Sequence, residues 1–169
     1  MKKFFCFLHQ SLQQLIFFVT AKTKIEVDYD KSLDQLISER GFDKVDHAIF
    51  NKNESESILT NKSGTKIVVV KVFKLRNYYN YEKAVKKIRR NGYSPATLYE
   101  LLFFDQKNPD FQKKNPVAAF GYVLRKNGYN GLRLIPCLWG NNSFRSLVAK
   151  ESNPCLLWGN GILCLGVKN

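Results

Sequence analysis

The stretch Glu82-Lys-Ala-Val-Lys-Lys-Ile-Arg-Arg-Asn-Gly-Tyr-Ser-Pro-Ala-Thr-Leu-Tyr-Glu-Leu-Leu102 decides the fold. With Tyr81 in front, it places Tyr81, Val85 and Ile88 on one side of a helix. Lys83, Lys86, Lys87 and Arg90 fall on the opposite side, within about a third of the circumference at about 100° per residue. Asn91-Gly92 stops that helix, because glycine adopts the left-handed conformation that ends one. Ser94-Pro95 then reads as the start of a second helix, with Ser94 as cap and Pro95 at the first position, where no N–H is needed. Thr97 and Glu100 also have capping-box spacing, so the start could lie three residues later.

Working outward, Thr65-Lys-Ile-Val-Val-Val-Lys-Val-Phe-Lys-Leu75 is apolar on both faces at its centre and predicts a strand inside a sheet. Lys24 to Tyr29 alternates polar and apolar, as a half-buried strand does. Ser32 caps a helix with Leu33, Leu36 and Ile37 inward, ending at Gly41. Residues 42–50 are ambiguous, Phe42, Val45 and Ile49 fitting a short helix, and residues 51–64 read as a polar loop. On the other side, residues 105–115 read as a loop anchored by Phe111, and Val117 to Leu124 as a strand. Asn127-Gly128 is a hairpin signal. Leu132 to Trp139 is the return strand, in which Pro136 suits an edge or an end. After a loop at Gly140–Ser143, residues 155–158 and 162–165 flank Gly159-Asn-Gly161 as another hairpin. The expectation is an α+β fold: one domain over residues 25–169, with a mixed or mainly antiparallel sheet, two to four helices and a strand-rich C-terminal third.

The 169 residues carry a net charge of +13, unevenly placed. Residues 1–70 hold 10 Lys/Arg against 9 Asp/Glu, whereas residues 71–133 hold 14 against 4. Such a field favours nucleic acid or another polyanion, acidic lipid, or an acidic protein partner. The helix 83–90 is the candidate phosphate-contacting stripe, extendable by Lys113, Lys114, Arg125 and Lys126. The competing reading is an ordinary solvated helix face. Residues 95–104 contain no Lys, Arg, Asn or Gln, the usual readers of base edges, which argues against a recognition helix.

Residues 1–24 stand apart. Lys2-Lys3 followed by Phe4 to Leu8 opens like a secretion signal ending near residue 21, but His9 and Gln13-Gln14 interrupt the apolar run. Phe5, Leu8, Leu12, Leu15, Ile16 and Val19 share one helical face, so an amphipathic helix docked on the core is the leading reading, with a surface anchor as a third. The segment is too polar in its centre to span a bilayer. Cytoplasmic location is expected, with secretion through residues 1–21 as the alternative.

No cofactor motif is present: there is no glycine-rich phosphate loop, His-Glu-x-x-His or Gly-x-Ser-x-Gly. Cys6, Cys137, Cys155 and Cys164 lack metal-ligand spacing and read as reduced, the last three in apolar runs. Asp43 with His47 could orient an imidazole, and Glu26, Asp28 and Asp30 could offer oxygens to a metal, but a surface pair and the solvent face of an edge strand are the plainer readings. No metal site and no catalytic set are assigned.

The words Val27-Asp-Tyr-Asp-Lys-Ser-Leu33, Ser94 to Leu102, Asn115-Pro-Val-Ala-Ala-Phe-Gly121, Ile135-Pro-Cys-Leu-Trp139 and Arg145-x-Leu147 resemble a group of small, uncharacterised bacterial proteins. That resemblance covers residues 25–169 and implies no activity. The chain is also similar, more distantly, to C-type-lectin-like domains, in which an acidic helix precedes Trp-containing loops and a final core strand. That similarity implies a ligand-binding loop face over residues 139–160, with Trp139, Asn141, Arg145 and Trp158 as binding residues. The leading functional expectation is a non-enzymatic binding domain with a basic surface. The alternative is a nucleic-acid-binding protein acting through helix 83–90, and a metal-dependent enzyme with carboxylates at 26–30 ranks last.

Overall fold

The computed structural model describes residues 22–49, 62–74, 80–125, 133–152, 158 and 161–168. Its strands are β1 (Lys22–Asp28), β2 (Lys44–Val45), β3 (Thr65–Lys74), β4 (Ser94–Pro95), β5 (Val117–Ala118), β6 (Leu124–Arg125), β7 (Arg133–Gly140), β8 (Arg145–Ser152) and β9 (Leu163–Lys168). The helices are α1 (Leu33–Ser38), α2 (Tyr81–Arg90), α3 (Leu98–Lys107) and α4 (Phe111–Lys114), with a 3-10 turn at His47–Ile49. All nine strands join one mixed sheet in the order β1-β3-β9-β5-β7-β8-β2, with β4 on β9 and β6 on β7. The pairs β5–β9 and β2–β8 are parallel and the rest antiparallel, so the fold is α+β as expected.

Strand alternation divides the core between the two sides of this sheet. Val68, Val70 and Val72 of β3, Ile25 and Val27 of β1, and Leu163 and Leu165 of β9 pack with Leu36 and Ile37 of α1 and Leu98, Leu101 and Leu102 of α3. On the other side, Phe73, Ala118, Ile135, Cys137 and Cys164 pack with Ala84, Val85 and Ile88 of α2, together with Trp158. The sheet thus carries α1 and α3 on one face, and α2 on the other over β5, β7, β9 and the end of β3.

Several expectations hold in detail. The Ser32 side chain accepts a hydrogen bond from Gln35 N–H at the start of α1. Helix α2 runs Tyr81–Arg90, with the Asn80 side chain capping its first turn and Gly92 at φ +77° just beyond it. Strand β3 lies between β1 and β9, inside the sheet as its apolar centre predicts.

Others are corrected. Ser94 and Pro95 do not open a helix; they pair with Val167 and Gly166 as β4. The Thr97–Glu100 capping box starts α3 instead, because Glu100 reaches back to Thr97 N–H while the Thr97 hydroxyl bonds the first turn. Residues 42–49 hold β2 and the 3-10 turn in place of the short α-helix expected there. The expected loop 105–115 contains the end of α3 and α4, although Phe111 does anchor it, edge-on against Phe104. Residues 117–124 form two short strands with a turn between them, since Gly121 N–H bonds the Ala96 carbonyl and draws the chain off the ladder. Pro136 sits mid-strand in β7, opposite the break between β5 and β6. Its carbonyl accepts from Ala119 N–H there, on the same side as its ring nitrogen, so no ladder bond is lost. Strand β8, which no periodicity announced, pairs with β7 along its whole length. The expectations for residues 1–21, for most of loop 51–64, and for the Asn127-Gly128 and Gly159-Asn-Gly161 turns lie outside the described residues. The strands flanking residues 126–132, β6 and β7, do pair antiparallel.

Candidate basic binding face

The position of α2 follows from its inner side. Ile88 is fully buried and stands over Gly166 of β9, where an added Cβ would meet Ile88 Cγ2 at 3.0 Å and Phe73 Cε2 at 2.7 Å. The Tyr81 hydroxyl donates to the Phe120 carbonyl at 3.2 Å, and the Arg133 guanidinium lies 4.5 Å over the Tyr81 ring while pairing with Glu82. Both ends of the helix are therefore held, and its outer side is presented rigidly.

That outer side carries Lys83, Lys86 and Arg90, all exposed, and the half-buried Lys87. The four form one stripe, as the 3.6-residue period requires. Among the described residues, Lys83, Lys86 and Arg90 form no pair with an acid, the one carboxylate on the helix, Glu82, being taken by Arg133. Lys87 and Arg90 also lie in the last turn, where positive charge complements the helix dipole. Lys113 and Lys114 do not extend the stripe: they belong to α4, whose Phe111 packs on the opposite side of the sheet with α3. Shallow depressions flank the helix, one lined by Tyr81, Val85, Lys86 and Arg89, the other by Lys83, Lys87, Arg90 and Asn91.

Of the remaining candidates, Trp139 and Trp158 meet at the Lys150 ammonium, 5.6 Å from the first ring and 5.4 Å from the second, while Asn141 and Arg145 stand apart from them. Trp139 is 45% exposed at the far end of β7, six residues, or about 20 Å, from the Arg133 that touches α2. Asn141 is exposed in the β7–β8 turn, where its side chain accepts from Ser143 N–H. Trp158, expected on a loop face, is 2% exposed and packs on Phe120, so its large ring fills the core beneath α2. Arg145 points to the other face, bonding Asp105 at 2.7 Å and the Arg40 carbonyl at 2.9 Å.

Two buried carboxylates on α3 were missed by the sequence reading. Glu100 is buried, but hydrogen bonds from Thr97 and from the Tyr29 hydroxyl (2.6 Å), with the Lys62 ammonium at 2.9 Å, outweigh burial and hold its carboxyl below the ordinary range. Burial dominates at Asp105 and pushes it up to about 6 against the charges of Arg145 and Arg40. Gln112 also donates to Asp105 at 2.9 Å. Glu100 ties α3 to Tyr29 just after β1 and to Lys62 before β3, and Asp105 ties it to α4 and β8, the chemistry of a scaffold. The spacing Thr97-x-x-Glu100 was visible in sequence; the long-range partners were not.

Of the other acid candidates, Glu26 is exposed on β1 and the aspartates are committed to backbone. Asp43 accepts from Arg145 N–H at 2.7 Å, and Asp46 from Ala48 N–H at 3.1 Å. Asp28 and Asp30 accept from Asp30 N–H and Gly64 N–H, so they brace the turn after β1. Among the described residues no three of His, Cys, Asp and Glu lie close enough to hold a metal ion. Burial pushes the Cys137 thiol up to about 12, and Cys164 also goes up, so neither is a nucleophile near neutral pH. No described helix is long and apolar enough to cross a membrane.

Compared with known proteins, the chain matches no family model, no curated protein and no solved structure. The functional reading therefore rests on its own residues.

Proposed function

We propose that this chain is a non-enzymatic binding protein whose α2 face engages a polyanion, with the phosphate backbone of nucleic acid foremost. One observation carries the reading: Lys83, Lys86 and Arg90 are exposed on a helix anchored at both ends, and no acid among the described residues offsets them. The chain's buried acids, Glu100 and Asp105, are neutralised on the opposite side of the sheet by Lys62 and Arg145. The α2 face therefore keeps unpaired positive charge, the arrangement that steers an anionic partner to it. Asp28, Asp30, Asp43 and Asp46 hold turns and elements together, which supports binding over catalysis. A solvated helix face makes no such demand on a partner, and an acidic protein is the competing occupant.

The test is the salt dependence of binding to duplex DNA. If each of Lys83, Lys86, Lys87 and Arg90 neutralises one phosphate, they contribute about −3.6 to the log–log slope, at about −0.9 per contact. Replacing all four by Gln preserves helix propensity and flattens the slope by that amount, nearly equally for every base sequence. Binding that ignores the four substitutions overturns the proposal.

A further inference from the structure

Among the described residues, nothing covers the first strands of the sheet on the side that carries α2. Ile25 and Val27 of β1 face α3, so Lys22, Lys24 and Glu26 face the α2 side. Register places Lys22 opposite Lys71, Lys24 opposite Val69 and Glu26 opposite Ile67. On the other edge of β3, Val69 lies opposite Lys168 and Lys71 opposite Gly166. The floor so formed has one cross-strand row Lys24–Val69–Lys168 and a second, Lys22–Lys71, with Ile67 beside them at 70% exposure. Helix α2 does not cover it, since Phe73 is the only β3 residue packed in the α2 cluster. Yet helix and floor adjoin. Ile88 stands on Gly166, and Gly166 is the ladder partner of Lys71, whose ammonium lies 5.3 Å from the Phe73 ring and 5.8 Å from the Tyr93 ring.

We infer that this floor and the adjoining flank of α2 form one site for single-stranded nucleic acid. The inference rests on the polyanion reading of α2 and names its partner. Three observations select a single strand. The floor spans β1, β3 and β9, about 10 Å at ~4.8 Å per strand, half the width of a duplex but that of one strand. Lys24 and Lys168 flank Val69, and Ile67 follows on β3 opposite Glu26; the apolar contact between the two cations suits a sugar or base lying between phosphates, whereas a duplex turns only phosphate and sugar outward at its backbone. The helix rises beside the floor by about its own diameter, ~10 Å, a step that a flexible strand follows and a stiff duplex does not. Glu26, at the outer end of the floor, sets a limit to the phosphate path.

The experiment uses the full chain and three probes: a fluorescein-labelled oligothymidine of about 12 nucleotides, within the ~4–16 nucleotides that single-strand sites cover, a duplex of equal length, and phosphatidylglycerol vesicles. Two variants are compared with the parent: the floor variant Lys24→Gln/Lys168→Gln/Ile67→Ser and the α2 variant carrying Gln at 83, 86, 87 and 90. All three floor positions are exposed, so the melting temperature should stay at the parent's; Lys24→Arg/Lys168→Arg should retain binding. The expected result is oligothymidine bound more tightly than duplex. The floor variant should lose at least about tenfold for oligothymidine, with its salt slope flattened by about 1.4, two contacts at ~0.7 each. Its duplex binding should be unchanged. Oligothymidine and duplex binding that depends on α2 but not on the floor overturns this inference and leaves the α2 reading standing. Absence of binding to either nucleic acid overturns both. Floor-dependent capture by vesicles without oligothymidine binding overturns the nucleic-acid assignment.

Discussion

Ile88 and Gly166 form the joint that sets α2 beside the open floor, and a double-mutant cycle measures it. Ile88→Ala deletes three carbons from a fully buried side chain, a transfer loss of about 2.4 kcal/mol at ~0.8 per group. With partial cavity collapse the cost should be about 3 kcal/mol. Gly166→Ala places a methyl 2.7 Å from Phe73 Cε2, 3.0 Å from Ile88 Cγ2 and 3.2 Å from Tyr93 Cβ. Such overpacking costs about 1–3 kcal/mol, offset by ~0.5–1 kcal/mol for removing a strand glycine. In the double variant the new methyl enters the space Ile88 vacates, and the Phe73 ring can withdraw into it. The double variant should therefore be more stable than the sum of the singles predicts by at least about 1 kcal/mol. Urea unfolding at constant m-value reads the three differences. Additivity within ~0.3–0.5 kcal/mol would show that helix and strand do not touch here, and the composite face would lose its basis.

Further outcomes follow from the same geometry. Val70→Asp buries a carboxylate at a 1% exposed position and should cost several kcal/mol, whereas Val69→Asp, on the open floor between Lys24 and Lys168, should cost less than about 1 kcal/mol; equal losses in chemical denaturation would reverse the face assignment. The Asp105 carboxyl should titrate near pH 6 by carbon NMR, and because its folded value is raised, its share of stability falls as pH rises from about 4 to 6. A midpoint below ~4 would mean that Arg145 and Arg40 outweigh burial. Glu100 has the opposite sign: held low, it stabilises above its unfolded value of ~4.3, and that contribution fades as pH falls through its folded value. Glu100→Gln should cost about 3–5 kcal/mol at neutral pH, leaving Lys62 beside an uncharged amide, and less as pH falls through the folded value of Glu100. A loss that does not change with pH would mean Glu100 is already protonated in the parent.

Much of this fold was legible because local chemistry and tertiary demand agree. The Ser32 cap, Asn91-Gly92 stop, alternation at Lys24–Tyr29 and apolar centre of β3 each name a local conformation that packing then uses. Reading failed where a distant partner decided the outcome. Ser94-Pro95 has every local mark of a helix start, yet β9 recruits it as a strand. Strand β8 mixes polar and apolar residues without a clean period, since Leu147 faces α3 while Arg145 bonds Asp105 and Val148 packs toward Trp158. The α2 stripe was visible because helical spacing is a property of one segment. The floor was not, because Lys22, Lys24, Lys71 and Lys168 come from three strands that only register brings together. A loop face was expected over residues 139–160, but strand alternation sends Trp139 and Arg145 to opposite sides of the sheet.

The most direct measurement is a backbone amide NMR titration of the full chain with the oligothymidine, at low salt and again at high salt. The account predicts that the largest shifts fall on Lys24, Ile67, Val69 and Lys168, together with residues 83–90, and that salt abolishes all of them together. Shifts confined to Trp139, Asn141 and their neighbours in the β7–β8 turn, with α2 and the floor unmoved, would contradict it.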